Sequence, residues 1–448
     1  MFIQPCRRRM LLSIVTIIFC FYLLTLYWKS HFANRIPAAS SWRSEVHCEW
    51  NKEITENPSG IYELNLCYST NGIEKAEPPT IMESKIRKNG SSKMLTFDDL
   101  SEIPDNEWLP NFDTSVYKLY PQALPLNEVN MLVMLDEPLP EPPINNPRIR
   151  YLRVPSKVCP PVDKEYTEKT TTSLPHNGVV IIYKSGVYNF ESRNQIRKFY
   201  HLDRYDMKID LVFSIGMPTT MKGNIFRRDG FNVTLRGRAG RKLLEHTQSP
   251  QKTFETLRKE MKEHDDLIVG DFEDTYYNLT LKLFHSYQWA ARFCRPYNPT
   301  FVFIDDDHAV NLKELVAFLK RRTPEELDKL NYGFYRNKNV VFRPSNPFYP
   351  QWALSKREIP WPMHVPEYLG IYTLFGYSIM QNIAIGMYFT KPIVIDDTYV
   401  AMIMDKLDLP LLKLDGMTFG RIPLKWKYTC DKIMFASLDV FEAHKCSF

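Results

Sequence analysis

The sequence predicts an α/β protein with a Rossmann-type, mostly parallel sheet covered by helices on both faces, preceded by a transmembrane helix and a long stem. Three observations predict it: short β-branched runs alternate with amphipathic stretches after Asn177, acidic residues stand where those runs end, and one uncharged run lies near the N-terminus. Strands that alternate with helices imply right-handed crossovers and parallel pairing. In such sheets ligands bind beyond the carboxyl ends of the strands.

The N-terminal elements come first. Arg7, Arg8 and Arg9 precede an uncharged run from Met10 to Trp28 that is rich in Leu, Ile, Val and Phe. As a helix it is about 28 Å long, enough to cross the hydrocarbon layer. The arginines before the run and Tyr27-Trp28 at its end place residues 1–9 in the cytosol, residues 10–28 in the membrane and the remainder in the lumen. A cleaved signal peptide is the alternative, but the run exceeds a usual h-region and no small-x-small site directly follows it.

Residues 29–176 read as a lumenal stem, because Pro138, Pro140, Pro142, Pro143, Pro147, Pro155, Pro160, Pro161 and Pro175 interrupt any period. Two apolar islands, Met131–Leu135 and Ile149–Arg153, are expected to pack on the domain that follows, residues 177–448. Within that domain, Val179–Tyr183 and Leu211–Ile215 read as buried strands with a helix over Glu191–Tyr200 between them. A helix near Phe254–His264 leads to Leu267–Val269. A second helix follows near Asn278–Phe293, where Leu279, Leu283, Tyr287 and Ala291 recur every four residues. Thr300–Ile304 is the next strand.

Composition narrows the function. With 44% hydrophobic and 24% charged residues in 448, the chain can bury a sizeable core, and a net charge of +5 without basic-aromatic interleaving argues against a nucleic-acid channel. Six of the eight cysteines (Cys48, Cys67, Cys159, Cys294, Cys430 and Cys446) follow the anchor, an even number suited to disulfides. None has metal-ligand spacing. Asn89, Asn232 and Asn278 begin glycosylation triplets compatible with a lumenal domain.

Asp305, Asp306 and Asp307 stand at the end of the Thr300–Ile304 strand. Adjacent carboxylates leaving a buried strand repel one another, so a positive group is expected to compensate them. Alternation puts Asp305 and Asp307 on one side as hard oxygen ligands for manganese or magnesium, with Asp306 turned away; an exposed loop capping the next helix is the bland reading. A second acidic pair, Asp396-Asp397, follows the apolar run Pro392–Ile395, read as a strand, and opens a helical stretch. Helix capping explains such a pair without chemistry, and a general base at the sheet edge explains it with chemistry.

The stretch Asp271-Phe-Glu-Asp-Thr-Tyr-Tyr-Asn-Leu-Thr-Leu-Lys282, followed by Trp289 and Cys294, resembles the most recognisable signature of the beta-1,3-galactosyltransferase family. The order continues with Phe303-Ile304-Asp305-Asp306-Asp307 and with Asp396-Asp397-Thr398-Tyr399-Val400-Ala401 in place of a Glu-Asp-Val-Tyr-Val-Gly segment. Upstream, Ile182–Ser185 and Arg193–Arg197 are similar to the family's first strand and donor-side helix. The resemblance runs from Val179 to the C-terminus and implies a GT-A-like fold. It makes Asp305 and Asp307 the metal pair, points to His444 as a third ligand, and makes Asp397 the catalytic base. Arg193, Arg197, Asp271, Lys282, Asp305 and Asp306 would shape the nucleotide site.

Three segments depart from the family pattern: Arg197-Lys-Phe-Tyr200 replaces Arg-x-Thr-Trp, Gln351-Trp-Ala-Leu-Ser355 replaces Lys-Trp-Tyr-Val-Ser, and Pro366–Ile371 replaces Pro-Tyr-Cys-x-Gly-Gly. They bear on sugar identity more than on reaction type. The resemblance implies an inverting, Mn2+- or Mg2+-dependent hexosyltransferase of the Golgi membrane, single-pass with its catalytic domain lumenal. It would move a sugar, galactose in β1,3 linkage foremost, from a UDP-sugar to a glycan on a glycoprotein or glycolipid. Transfer of N-acetylglucosamine or N-acetylgalactosamine is the alternative donor reading. A glycosidase would need its carboxylates across one bond, without a metal on an Asp cluster. A non-catalytic lumenal chaperone or glycan-binding relative would have lost the Asp cluster or the base, and this chain has both.

Overall fold

The computed structural model describes residues 46–446 except 58, 73–78, 113–114, 120–123, 163–177, 338–339, 347 and 419–429. The expected cytosolic tail and membrane anchor, within residues 1–45, lie outside the described residues. Among the described residues no helix is long and apolar enough to cross a membrane.

Nine strands share one sheet: β1 (Val46–His47), β2 (Tyr62–Leu64), β3 (Ile149–Arg153), β4 (Val179–Lys184), β5 (Ile209–Met217), β6 (Leu267–Glu273), β7 (Thr300–Asp305), β8 (Asn331–Arg336) and β9 (Glu367–Phe375). Their spatial order is β1-β2-β3-β6-β5-β4-β7-β9-β8. The central four, β6-β5-β4-β7, are parallel, as the alternation of strands and helices predicts. Antiparallel partners flank them, β3 against β6 on one side and β9 against β7 on the other. From β4 the chain winds outward through β5 and β6 and then returns to place β7 on β4's other side. The gap between β4 and β7 is therefore the topological switch point, where crevices open in such sheets. In register, Asp305 at the end of β7 lies opposite Lys184 at the end of β4.

The helices that matter here are α1 (Leu126–Met134), α2 (Phe190–Phe199), α3 (Pro250–Glu263), α4 (Leu279–Phe293), α5 (Leu312–Lys320), α6 (Tyr377–Gly386) and α7 (Asp396–Lys406). Period-2 alternation divides the strand residues between two cores. Val180, Ile182, Phe301 and Phe303 join α4, α6 and α7 on one face, and Val179, Ile181, Tyr183, Val302 and Ile304 join α2, α3 and α5 on the other. Tyr287 of α4 stacks on Phe303, with ring centroids 4.3 Å apart and planes 13° apart. Both faces are thus covered, as expected.

The range expected as a stem is different in kind over residues 46–162. It contributes β1, β2, β3 and α1 and a buried apolar set that includes Trp50, Leu64, Val129 and Tyr151. The Ile149–Arg153 island is β3, and Met131–Leu135 overlaps the end of α1, whose Asn130 Nδ2 donates to Asn382 O of α6 at 2.9 Å. The proline-rich stretch is pinned by Asn145, whose backbone N–H donates to Tyr388 O at 3.0 Å and whose side chain donates to Met387 O at 3.1 Å. Proline prevented a period here without preventing burial. The Pro392–Ile395 run, expected as a strand, is a loop that leads into α7.

Disulfides join Cys48 to Cys67, Cys159 to Cys294 and Cys430 to Cys446. The second bridges 135 residues and fastens the N-terminal elements to the end of α4, beside Arg292, which donates to Glu49 O at 2.6 Å and lies 5.1 Å over the Trp50 ring. A cross-link closing so long a loop removes much freedom from the unfolded chain. Replacing Cys159 and Cys294 together by Ala is expected to lower unfolding free energy by about 2–5 kcal/mol. Denaturant titration checks this, and an unchanged midpoint and slope would show that this closure does not constrain the chain.

Candidate active site

The site begins with the loop that leaves β4. Asp274 is buried and accepts from the N–H groups of Val187 and Gly216, both at 2.9 Å, while Lys282 Nζ reaches Asp274 Oδ1 at 2.8 Å and also donates to Ser185 O. Arg193 is 0% exposed and donates to Glu260 at 2.7 and 2.8 Å, to Gly186 O at 2.7 Å and to Val187 O at 3.2 Å. Arg197 pairs with Asp266 at 2.7 Å and Glu260 at 2.9 Å. Burial alone would raise the Glu260 carboxyl, but the two guanidiniums hold it below its ordinary value. Arg193 and Lys282 therefore shape the 185–187 loop from beneath, and Arg197 is spent on Asp266 and Glu260 instead of facing an open cleft. Asp271 turns to Arg150 on β3 at 2.9 Å, so the signature's buried acid is Asp274, which the sequence reading did not single out.

At the switch point the three aspartates take different partners, and strand alternation stops at Asp305, because Asp306 and Asp307 already belong to a turn. Asp306 turns inward and accepts from Ser185 Oγ at 2.6 Å, Asn189 Nδ2 at 2.9 Å and Arg238 Nη1 at 2.9 Å. It is part of the protein's own network, not a free donor ligand. Asp305 pairs with Lys184 at 3.0 Å, and Asp307 with His308 Nδ1 at 2.6 Å and Arg238 at 3.7 Å. Burial, with the neighbouring Asp307 and Asp396 charges, pushes the Asp305 carboxyl up to about 7 even against Lys184. For Asp307, burial is outweighed by His308 and Arg238, and its carboxyl is held below the ordinary range.

The second acidic pair faces the first. Asp396 and Asp397 are the first two residues of α7, where carboxylates meet unpaired N–H groups. Lys184 Nζ also binds Asp396 Oδ2 at 3.2 Å and donates to Gly370 O, so one buried ammonium joins β4, β7, β9 and α7. Burial would depress that ammonium, yet Asp305 and Asp396 hold its pKa above the ordinary lysine value. Asp397 accepts from Gly370 N–H at 3.2 Å and from its neighbour Thr398 N–H at 2.9 Å. Burial, then the Asp396 charge, pushes the Asp397 carboxyl up to about 6. Gly370 matters because a Cβ there would stand 3.2 Å from Asp397 Cβ and 3.3 Å from Lys184 Nζ.

These groups line a cavity of about 560 Å3 whose walls include Lys184, Asp305, Asp396 and Asp397 on one side and Phe342, Tyr349 and Trp352 on another. The donor set suits a divalent cation. Asp305 and Asp307 present hard carboxylate oxygens with 40% and 59% of each side chain exposed, and every cysteine among the described residues is in a disulfide. The imidazole that touches the pair is His308, not the expected His444. His444 keeps a buried Nε2 without a hydrogen-bond partner, and no group of three or more His, Cys, Asp and Glu among the described residues is arranged as a metal cage. His444 is thus not gathered with Asp305 and Asp307 into one ligand set. The C-terminal segment does return to them: His308–Val310 pairs with Phe435–Ser437, and Leu438 N–H donates to Asp307 O at 2.9 Å.

The glycosylation triplets differ in access. Asn89 and Asn232 are exposed, whereas Asn278 is half-buried and spends its Nδ2 on Glu273 O at 2.7 Å. A glycan on Asn278 would have to displace that bond.

Residues 243–415 match the family model described as Galactosyltransferase, a span that contains the acidic turn of β7 and the pair at the start of α7. Over those residues the chain is similar to galactosyltransferases. Beta-1,3-galactosyltransferase 5 of Homo sapiens is similar to it, 30% identical over 179 residues that cover 38% of this chain and 53% of the relative. So is UDP-GalNAc:beta-1,3-N-acetylgalactosaminyltransferase 1 of Sus scrofa, 30% identical over 160 residues, 36% of this chain and 45% of the relative. Lactosylceramide 1,3-N-acetyl-beta-D-glucosaminyltransferase B of Xenopus laevis is 26% identical over 242 residues, 51% of this chain and 54% of the relative. The chain spans about half the length of the curated relatives it matches. Asp305, Asp396 and Asp397 fall within the matched span, and Lys184, around which they gather, precedes it.

That ammonium gives a direct test. Lys184→Met keeps much of the volume and removes the charge, which is expected to cost about 3–5 kcal/mol of stability at pH 7.5, the usual result of breaking a buried pair. At pH 5 the loss should shrink, because Asp305, near about 7, and Asp397, near about 6, then bind protons and need less compensation. Denaturation at both pH values checks it, and an equal loss at each would assign Lys184 a packing role alone.

Proposed function

We propose that the chain is an inverting hexosyltransferase that moves a sugar from a UDP-sugar to a hydroxyl of a glycan on a glycoprotein or glycolipid. The observation that carries this is Asp397: a half-buried carboxylate held by two backbone N–H groups, raised to about 6, in the same cavity as Asp305. A general base works best with a proton affinity near the operating pH. Asp397 takes the acceptor hydroxyl's proton as that oxygen bonds to the anomeric carbon, and the bond from that carbon to the diphosphate breaks with its electron pair leaving on UDP. Asp305 and Asp307 would hold a divalent cation, which when bound supplies positive charge for the departing diphosphate. Lys184 holds Asp305 and Asp396 in place, and Gly370 fixes the angle of Asp397.

The favoured linkage is β1,3 and the favoured sugar galactose, supported by the family match and by the names of similar proteins; those names also include N-acetylgalactosamine and N-acetylglucosamine transfer. A purely glycan-binding relative is the less supported reading, because a binding role has no use for a carboxyl with its proton affinity raised in a cleft. We place the domain in the Golgi lumen behind an anchor at residues 10–28. The basic residues before that apolar run and the three disulfides support this placement.

Asp397→Asn is expected to lower kcat by about two to four orders of magnitude with donor affinity retained. Since the base must be unprotonated, wild-type kcat/KM should rise with pH through about 6, and the variant should lack that limb. UDP release against a panel of UDP-sugars, followed across pH, checks both. If Asp396→Asn were the inactive variant and Asp397→Asn nearly normal, the base would be the other carboxylate. Turnover is also expected to require a divalent cation, and Asp307→Ala to abolish turnover and weaken UDP binding in calorimetry while the domain still folds. Undiminished turnover in chelator would remove the cation from the reaction.

A further inference from the structure

The proposed reaction requires an acceptor, and the cavity has a wall the chemistry above does not use. Phe342, Tyr349 and Trp352 stack there: Phe342 and Tyr349 have ring centroids 4.7 Å apart at 38°, and Tyr349 and Trp352 are 5.4 Å apart at 20°. Most large rings are packed into the two cores, but Tyr349 is 42% and Trp352 39% exposed. Open apolar rings gathered on one wall of a cleft mark a binding surface more often than a structural need.

The wall is also held still. Trp352 Nε1 donates to Tyr276 Oη at 2.7 Å, Tyr277 Oη donates to Gln351 O at 3.3 Å, and Leu354 N–H donates to Phe342 O at 2.7 Å. A surface fixed before binding loses little freedom on binding. Its surroundings select by charge: the cavity walls carry Asp305, Glu367, Asp396 and Asp397 against Lys184 and Arg336, and Lys184 is already paired with Asp305 and Asp396. An anionic acceptor, with no cation of its own to screen it, would meet an excess of carboxylates. A flat neutral ligand with one apolar face and a polar edge fits both the rings and the acids.

We infer that the stacked rings of Phe342, Tyr349 and Trp352 are the platform on which a neutral hexopyranose of the acceptor lies. Its C–H face rests on the rings, and its hydroxyl edge faces Asp397. This rests on the transferase reading, and the platform makes Tyr349 and Trp352 determinants of acceptor choice, separate from the groups assigned to the donor. Gln351, where the segment departs from the family pattern, and Trp352, where it keeps it, line the same cavity.

The full chain in detergent, assayed with the UDP-sugar panel and with lactose or sialyllactose as acceptor, tests it. Tyr349→Ala is expected to raise the lactose KM about tenfold while donor KM stays within about twofold, and Tyr349→Phe, which keeps the ring, to restore it. Trp352→Ala should act in the same direction. An unchanged lactose KM in both alanine variants, or a preference for sialyllactose, overturns the inference. Should the wild-type chain turn over no donor, the transferase reading falls by itself and saturation-transfer NMR with lactose decides the platform. Binding that Tyr349→Ala abolishes sustains it, and the absence of binding to the wild type overturns it.

Discussion

The site depends on one buried cation. Lys184 ends a strand of five apolar residues and places an ammonium where β4, β7, β9 and α7 converge. Without that charge, Asp305, Asp396 and Asp397 could not share a desolvated cleft unless they bound protons, since like charges in low dielectric force one another to neutralise. With it, the acids coexist and two of them keep proton affinities near neutrality. The cluster of acids therefore owes its existence to one lysine at a strand end. The arrangement also couples two parts of the chain far apart in sequence, because Asp305 and Asp396 are held by the same Nζ.

Beneath it lies a second layer of charge with a different purpose. Asp274, Lys282, Arg193 and Glu260 are buried, and their bonds end mostly on main-chain atoms of residues 185–187 and 216. Buried ion pairs contribute little net stability compared with apolar packing, and their best use is to define one geometry. Here they define the path of the loop that leaves the first central strand, on which the position of Asp306 and its partners Ser185 and Asn189 depends. Asp274 and Lys282, within the stretch Asp271–Lys282, thus serve as scaffolding.

What was legible in the sequence followed from period and alternation. Val179–Tyr183 and Thr300–Ile304 could be read as strands because β-branched and aromatic residues filled them without interruption. The need for a compensating cation was legible as well, but not its source: a lone lysine at a strand end looks like a boundary residue until the register sets it opposite Asp305. Pro392–Ile395 misled in the other direction. Its composition is that of a strand, but the chain there must bend to start α7 with its acids in the cleft, and tertiary packing overrode propensity. Burial of Arg193 and Arg197 was equally hidden, because their partners Glu260 and Asp266 are contributed by a distant helix and the turn after it.

The strand at Phe435–Ser437 sets a timetable for biosynthesis. It closes on His308–Val310 and, with Leu438, braces the turn that carries Asp307. A ribosome adding about 5–20 residues per second delivers that strand on the order of ten seconds after the acidic turn has emerged. Until then the turn stands without part of its support, and the nascent domain can have its central strands in place before that turn is braced. A chain interrupted before Phe435 would therefore keep those strands while Asp307 lost the pairing that steadies it.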